Sequence, residues 1–107
     1  MSKNLGSLEE AILLLVAVLQ GDAYGYVLSE EYQKHFGSRI SISAVHTVLK
    51  RLEDKGLISS EMGGATSERG GRRKRIFKVT ESGRSILEDL QSRRMRLWGM
   101  LGQVKFS

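Results

Sequence analysis

The sequence predicts a mainly α protein with one small β-hairpin, which is an α+β fold class. Three observations support this prediction: three successive segments have helical hydrophobic periodicity and glycine after them, the pattern becomes short and alternating after Gly56, and a last helical segment runs close to the end. The 107 residues are expected to form a single domain. A chain of this size can build only a modest core, so a second copy would add useful burial.

The first helix is predicted in "SLEEAILLLVAVLQG", where Ser7 and Glu10 have capping-box spacing and Gly21 marks the end. One seam is apolar, and other leucines and valines extend the apolar surface around most of the helix. The seam is Leu5, Leu8, Ile12, Leu15 and Leu19, and the others are Leu13, Leu14, Val16 and Val18. Leaving several of them in water would forgo about 1.5–3 kcal/mol each. A partner helix is therefore expected on a second face.

Two shorter helices are predicted next. The first, "DAYGYVLSEEYQKHFG", ends at Gly37 and has apolar positions about four residues apart, namely Tyr24, Leu28, Tyr32 and Phe36. The second, "SISAVHTVLKRLEDKG", has Ser41 or Ser43 as its cap and ends at Gly56, and its inner stripe is Val45, Val48, Leu49 and Leu52. We interpret the tyrosines as core and helix-packing residues.

A hairpin and a final helix follow. The strands are predicted in "LISSEM" and "KRIFKVT", separated by a glycine-rich tip, with Phe77 and Val79 on one face. The last helix, "TESGRSILEDLQSRRMRLWGMLGQ", has a strip of apolar residues that Arg94 interrupts, so a regular coiled coil is not expected. This order of elements is that of a winged helix-turn-helix of three helices and a two-stranded wing. We place the winged-helix domain at residues 1–80 and a C-terminal dimerisation helix at residues 81–107.

Basic charge is concentrated in "RGGRRKRIFK", residues 69–78. This decapeptide holds six of the 17 Lys and Arg residues and no acid, which leaves 11 basic against 12 acidic residues elsewhere. A local cationic patch on a nearly neutral body is typical of a surface that contacts a polyanion. We therefore expect the wing to follow the phosphates of double-stranded DNA, and the third helix to read bases.

The predicted DNA-binding residues belong to these two elements. They are Ser41, Ser43, His46, Thr47, Lys50 and Arg51 of the third helix and Arg69, Arg72, Arg73, Lys74 and Arg75 of the wing. Two copies would place their third helices about 34 Å apart, so a pseudo-palindromic operator is expected.

Several function classes have no support in the sequence. The chain has no cysteine and two distant histidines, so we predict neither a metal nor another cofactor. No nucleophile-base arrangement or phosphate-binding loop is present, which argues against an enzyme. The longest apolar run, "AILLLVAVL", has half the length that a membrane-spanning helix requires, and we predict no membrane partner. The absence of cysteine suits a reducing cytoplasm.

The sequence resembles the PadR-like transcriptional regulators over most of residues 5–87. The resemblance lies in "LGSLEEAILLLVAVL", "AYGYVLSEEY", "SISAVHTVLKRLEDKGLISSE" and "GGRRKRIFKVTESGRSIL". It implies a homodimeric bacterial repressor whose C-terminal helix packs on the partner's first helix, and control of detoxification or efflux genes by small aromatic or hydrophobic compounds. His46 stands where the family usually has tyrosine, Thr47 where it commonly has proline, and Phe77 replaces a wing tyrosine.

A dimer interface and an effector pocket are predicted on the first and last helices. The interface residues are Leu8, Ile12, Leu15, Leu87, Leu90, Leu97, Trp98 and Leu101, and the pocket residues are Trp98, Met95 and Leu14. Trp98 can stack on a planar ligand in such a pocket, or it can be ordinary interface packing. The main alternative function is a winged-helix module that binds an acidic protein through its basic wing.

Overall fold

The structure, a computed structural model, describes residues 5–63 and 74–106, and the predicted fold class is confirmed. Within these residues the chain forms four helices and a two-stranded antiparallel sheet. In chain order the elements are α1 (Ser7–Val18), α2 (Gly25–Phe36), α3 (Ile42–Asp54), β1 (Ile58–Met62), β2 (Arg75–Val79) and α4 (Glu81–Leu101).

The start of α1 differs from the prediction by one residue. Gly6 is the N-cap, and its N–H donates a 3.0 Å hydrogen bond to Oε1 of Glu9. Ser7 is already helical, so the expected capping box of Ser7 and Glu10 is wrong. The carboxylate of Glu10 instead forms an ion pair with Arg94 of α4, at 2.7 Å.

Helices α3 and α4 each begin with a side-chain cap. Oγ of Ser41 accepts a 3.0 Å hydrogen bond from the N–H of Ala44, which decides between the two serines predicted for α3. Oγ1 of Thr80 accepts from the N–H of Gly83 at 3.1 Å. These side chains satisfy backbone donors that the first helical turn leaves without partners.

The core lies between α1, α3 and the base of the hairpin. The predicted inner stripe of α3 is buried, with Leu52 fully covered. From α1 the core takes Ile12, Leu13, Leu15 and Val16. Ile12 has no exposed surface and Leu15 is 5% exposed, so both predicted interface residues contribute mainly to the core of their own chain.

The hairpin is attached to the α1–α2 turn by its second strand. Ile58 pairs with Val79 and Met62 with Arg75. The side chain of Phe77 is 3% exposed in the core, and its N–H donates a 2.8 Å hydrogen bond to the carbonyl oxygen of Ala23. The base of the wing is therefore part of the domain body.

Helix α4 runs antiparallel to α1 and continues past the start of α1. Leu87 lies near Val16, whereas Arg94, about two turns later, pairs with Glu10 near the other end of α1. A helix of 21 residues spans about 31 Å, so its last turns extend beyond the body. Within the described parts of the chain, no helix has the length and hydrophobicity needed to cross a bilayer.

Candidate nucleic-acid interface

One side of α3 is exposed and polar while the opposite side is buried. The exposed residues are Ser41, Ser43, His46, Thr47, Lys50 and Arg51. Oγ1 of Thr47 donates to the carbonyl oxygen of Ser43 at 3.1 Å, and Nζ of Lys50 lies 3.7 Å from Asp54. All six residues predicted to bind DNA on or next to this helix therefore lie on its solvent side.

His46 is seated against the first turn of α2. A Cβ atom built on the buried Gly25 would lie only 2.5 Å from Nε2 of His46. The missing side chain at Gly25 thus makes room for the imidazole, which limits the positions that the ring can take. The contact joins α3 to the segment that leads into α2.

Lys74, which lies just before β2 and beyond the Met62–Arg75 pair, contacts the residue before Gly25. Its Nζ lies 4.3 Å from the centroid of the Tyr24 ring and donates a 3.2 Å hydrogen bond to the Tyr24 hydroxyl. Tyr24 is half-buried, so our interpretation of it as a packing residue alone is incomplete. Apolar spacing placed Tyr24 on α2, but this spacing carries no information about a lysine 50 positions later.

The two strands of the wing carry charged side chains that are paired across the sheet. Nη1 of Arg75 donates to Oγ of Ser60 at 3.0 Å, and Nζ of Lys78 lies 2.8 Å from Glu61. The hydrogen bond from Lys78 and its charge hold the pKa of Glu61 below its usual value, and the hydrogen bond to Glu61 and the charge of that carboxylate raise the pKa of Lys78. The predicted contacts Arg69, Arg72 and Arg73 lie outside the described residues.

A partly buried ion pair ties α1 to the end of α3. Nζ of Lys55 lies 2.9 Å from Oε1 and 3.0 Å from Oε2 of Glu9. Burial alone raises the pKa of Glu9, but hydrogen bonds from Lys55 and the Gly6 N–H, with the charges of Lys55 and Arg51, outweigh burial and hold this pKa below its ordinary value. The pair fixes the orientation of the exposed helix relative to the body.

The last turns of α4 expose a large apolar surface. Leu97 is 65% and Trp98 72% exposed, while the predicted interface residues Leu87 and Leu90 are half-buried. Leu87 packs against the core of its own chain, which leaves it little surface for a partner. A depression of about 410 Å³ is lined by Leu90, Arg93, Arg94, Leu97, Trp98 and Leu101. This lining includes Trp98 but neither Met95 nor Leu14, so the pocket predicted from those three residues is not formed within one chain.

A second depression lies where α1, β2 and the start of α4 meet. Its volume is about 490 Å³, and it is lined by Val16, Ala17, Gln20, Lys78, Val79, Thr80, Glu81, Arg84 and Leu87. Sequence periodicity did not predict it, because the residues come from three elements. In the described ranges there is no cluster of three or more His, Asp or Glu side chains placed to hold a metal ion.

Three helices, a hairpin tied to the body and an exposed polar helix face define a winged-helix protein. The family model described as "Transcriptional regulator PadR-like family" matches residues 13–89, and the chain belongs to this family. Its members are transcriptional regulators and not enzymes. No curated protein matches the chain.

Solved structures of this family are similar along most of the chain. A PadR-like transcription factor from Bacteroides fragilis is 22% identical, with a TM-score of 0.72 over 92% of this chain and 89% of that one. A PadR-like regulator from Bacillus cereus is 28% identical, with a TM-score of 0.67 over 90% and 84%. Bacillus subtilis PadR, solved in complex with operator DNA, is 26% identical, with a TM-score of 0.63 over 79% of this chain but 46% of its own length.

Proposed function

We propose that the chain is a homodimeric repressor that binds a pseudo-palindromic duplex operator in the bacterial cytoplasm and is released by a small hydrophobic or aromatic effector. The observation that carries the proposal is the one-sided arrangement of α3, whose buried stripe fixes the helix and leaves donors such as Thr47, Lys50 and Arg51 in solvent. Such donors can reach base edges and phosphates in a major groove. The operator complex of the Bacillus subtilis relative supports duplex DNA as the partner.

A second copy is the best occupant for the exposed surface of α4. Besides Leu97 and Trp98 of α4, α1 also exposes apolar side chains, with Leu14 47% and Val18 69% exposed. Covering each such side chain contributes up to about 1.5–3 kcal/mol, which is large against the stability of a small domain. Two copies would also present two α3 helices, as a pseudo-palindromic site requires.

Leu97→Glu tests the dimer. The variant is expected to shift the sedimentation-equilibrium mass toward one subunit, because a carboxylate would have to be desolvated in the interface. Ser92→Glu is the matched control, since it places the same charge on the opposite, exposed side of α4. A wild-type protein that sediments as a single subunit at micromolar concentration would contradict the proposal.

Salt dependence tests the contribution of the wing to DNA binding. Arg72→Ala/Arg73→Ala should make the slope of log K against log salt shallower by about 0.9 for each phosphate that the wing no longer neutralises. Lys34→Ala/Lys105→Ala is the control, because it removes the same charge from exposed positions away from the wing. Selection of bound genomic fragments should return a two-fold symmetric consensus. If no duplex sequence is preferred, the result would favour the alternative function, a winged-helix module that binds an acidic protein.

Trp98 provides the test for an effector. It is the only tryptophan of the chain and is 72% exposed, so a planar ligand stacked on it should quench or shift its emission. A compound that acts as effector should change this emission and lower operator affinity over the same concentration range. Emission and affinity that stay constant across a broad aromatic panel would remove effector release from the proposal.

A further inference from the structure

The side chains of Tyr24 and Lys74 join the α1–α2 turn to the start of β2. Their contact combines the ammonium over the ring, 4.3 Å from its centroid, with the 3.2 Å hydrogen bond to the hydroxyl. The main chain holds both residues in place, since the N–H of Phe77 bonds to Ala23 and the N–H of Gly63 donates to the carbonyl oxygen of Lys74 at 2.6 Å. The pair therefore joins the residue before α2 to the residue before β2, next to main-chain hydrogen bonds that tie both segments to the hairpin.

The contact leaves hydrogen-bond donors for another group. An ammonium has three N–H donors, and a phenol has one donor besides its acceptor oxygen. Among the described residues, the hydrogen bond uses one N–H of Lys74 and the oxygen of Tyr24 as acceptor. Two N–H donors of Lys74 and the O–H of Tyr24 remain. Three donors and one positive charge within a few ångströms favour an anion with several oxygens, such as a phosphate.

A chain of contacts links the pair to His46 on the exposed side of α3. Gly25 follows Tyr24 in the chain and supports the ring of His46. A continuous path therefore runs from His46 over the start of α2 to Lys74. A duplex whose major groove receives α3 brings a phosphate strand along the edge of that groove, where this path leads.

We propose that Tyr24 and Lys74 together hold one backbone phosphate of the duplex, beside the groove that α3 enters. Lys74 contributes charge, while Tyr24 positions the ammonium with its ring and donates its O–H to the same phosphate. Tyr24 is then a DNA-binding residue outside both α3 and the wing tip. This inference rests on the proposed function.

Salt titrations with the full chain test the phosphate site. Because phosphate contacts do not depend on base sequence, a labelled duplex of about 20 base pairs and mixed sequence is sufficient between about 50 and 200 mM salt. Lys74→Met should make the log–log slope shallower by about 0.9. Tyr24→Leu should reduce it by a similar amount, and the double variant no further, because both residues act on one phosphate.

Tyr24→Phe separates the two roles of the tyrosine. The ring that positions Lys74 remains, and only the hydroxyl is removed. Affinity should fall about twofold to tenfold, which corresponds to one hydrogen bond, while the slope stays that of the wild type because a neutral donor releases no counterion. Lys34→Met is the charge-matched control and should leave the slope unchanged, since Lys34 is exposed near the far end of α2.

The outcomes separate this inference from the proposed function. A wild-type protein without affinity for duplex DNA at low salt overturns both. Wild-type binding that depends on Arg72 and Arg73 but is unchanged in Lys74→Met and Tyr24→Phe overturns the phosphate site alone. A slope that changes in Lys74→Met, with both Tyr24 variants like wild type, overturns the role of the tyrosine. Should Tyr24→Leu fail to fold, Lys74→Met still tests the phosphate contact and Tyr24→Phe still tests the hydrogen bond of the tyrosine hydroxyl.

Discussion

Replacing Glu9 by Gln should destabilise the domain in a way that depends on pH. The Glu9 side chain is 12% and that of Lys55 32% exposed. Exposed ion pairs contribute up to about 1 kcal/mol, whereas breaking a buried pair costs about 3–5 kcal/mol. This pair lies between those limits, so the glutamine variant, which keeps the volume but removes the charge, should lose about 1–3 kcal/mol at neutral pH.

The sign of the pH dependence follows from the lowered pKa of Glu9. Because this pKa is below its ordinary value of 4.5 in the folded state, the pair stabilises the fold fully above the unfolded pKa, and the stabilisation is lost as pH falls through the folded pKa. The free-energy difference between wild type and Glu9→Gln should therefore be largest near neutral pH and shrink in acid below that value.

Urea unfolding at neutral and acidic pH, at one protein concentration, measures this difference. Glu10→Gln is the matched control, because Glu10 also pairs across helices but with an Arg94 side chain that is 61% exposed. We expect a loss of less than about 1 kcal/mol there. A Glu9→Gln effect that is the same at both pH values, or no larger than that of Glu10→Gln, would refute the reasoning.

Three further substitutions have defined outcomes. Gly25→Ala should displace the ring of His46 and lower operator affinity severalfold, measured by fluorescence anisotropy, with a thermal unfolding scan as the check on folding. Ser41→Ala should cost about 1 kcal/mol in urea unfolding, whereas Ser41→Asp should keep the cap of α3. Gly83→Ala should lose about 1–3 kcal/mol despite its better helix propensity, because the added Cβ would meet the carbonyl oxygen of Leu57; equal or greater stability would contradict this contact.

The elements of the fold were predictable because each has a strong local signal. Helix α3 has a serine N-cap whose hydroxyl oxygen can accept a backbone hydrogen bond, an apolar stripe, and a glycine at φ 75° just after its end. All three signals are present in the structure. The cap of α1 was harder to place, since two consecutive glutamates follow Ser7 and either could reach back. A contact with Arg94, 84 positions away, occupies one of them.

The partners of apolar surfaces could not be read from periodicity. Spacing shows which residues share a face of a helix, but not which element covers that face. Ile12 and Leu15 were expected at a subunit interface, yet they pack in the core, while Leu14 and Val18 remain exposed on the other side of α1. The Tyr24 contact was missed for the same reason, because it depends on the hairpin returning to the α1–α2 turn.

The hydrogen bond between Phe77 and Ala23 has a consequence for how this regulator can diversify. An isolated two-stranded hairpin is only marginally stable in water. Here the hydrogen bond to Ala23 and the buried Phe77 ring hold β2 on the domain body, and the hydrogen bond from Gly63 to Lys74 links the two chain segments beyond the last strand pair. Insertions between two fixed points cost little stability, since loop-closure entropy grows slowly with length. Selection can therefore lengthen the segment between Gly63 and Lys74 or change its charge without redesigning the domain that carries it.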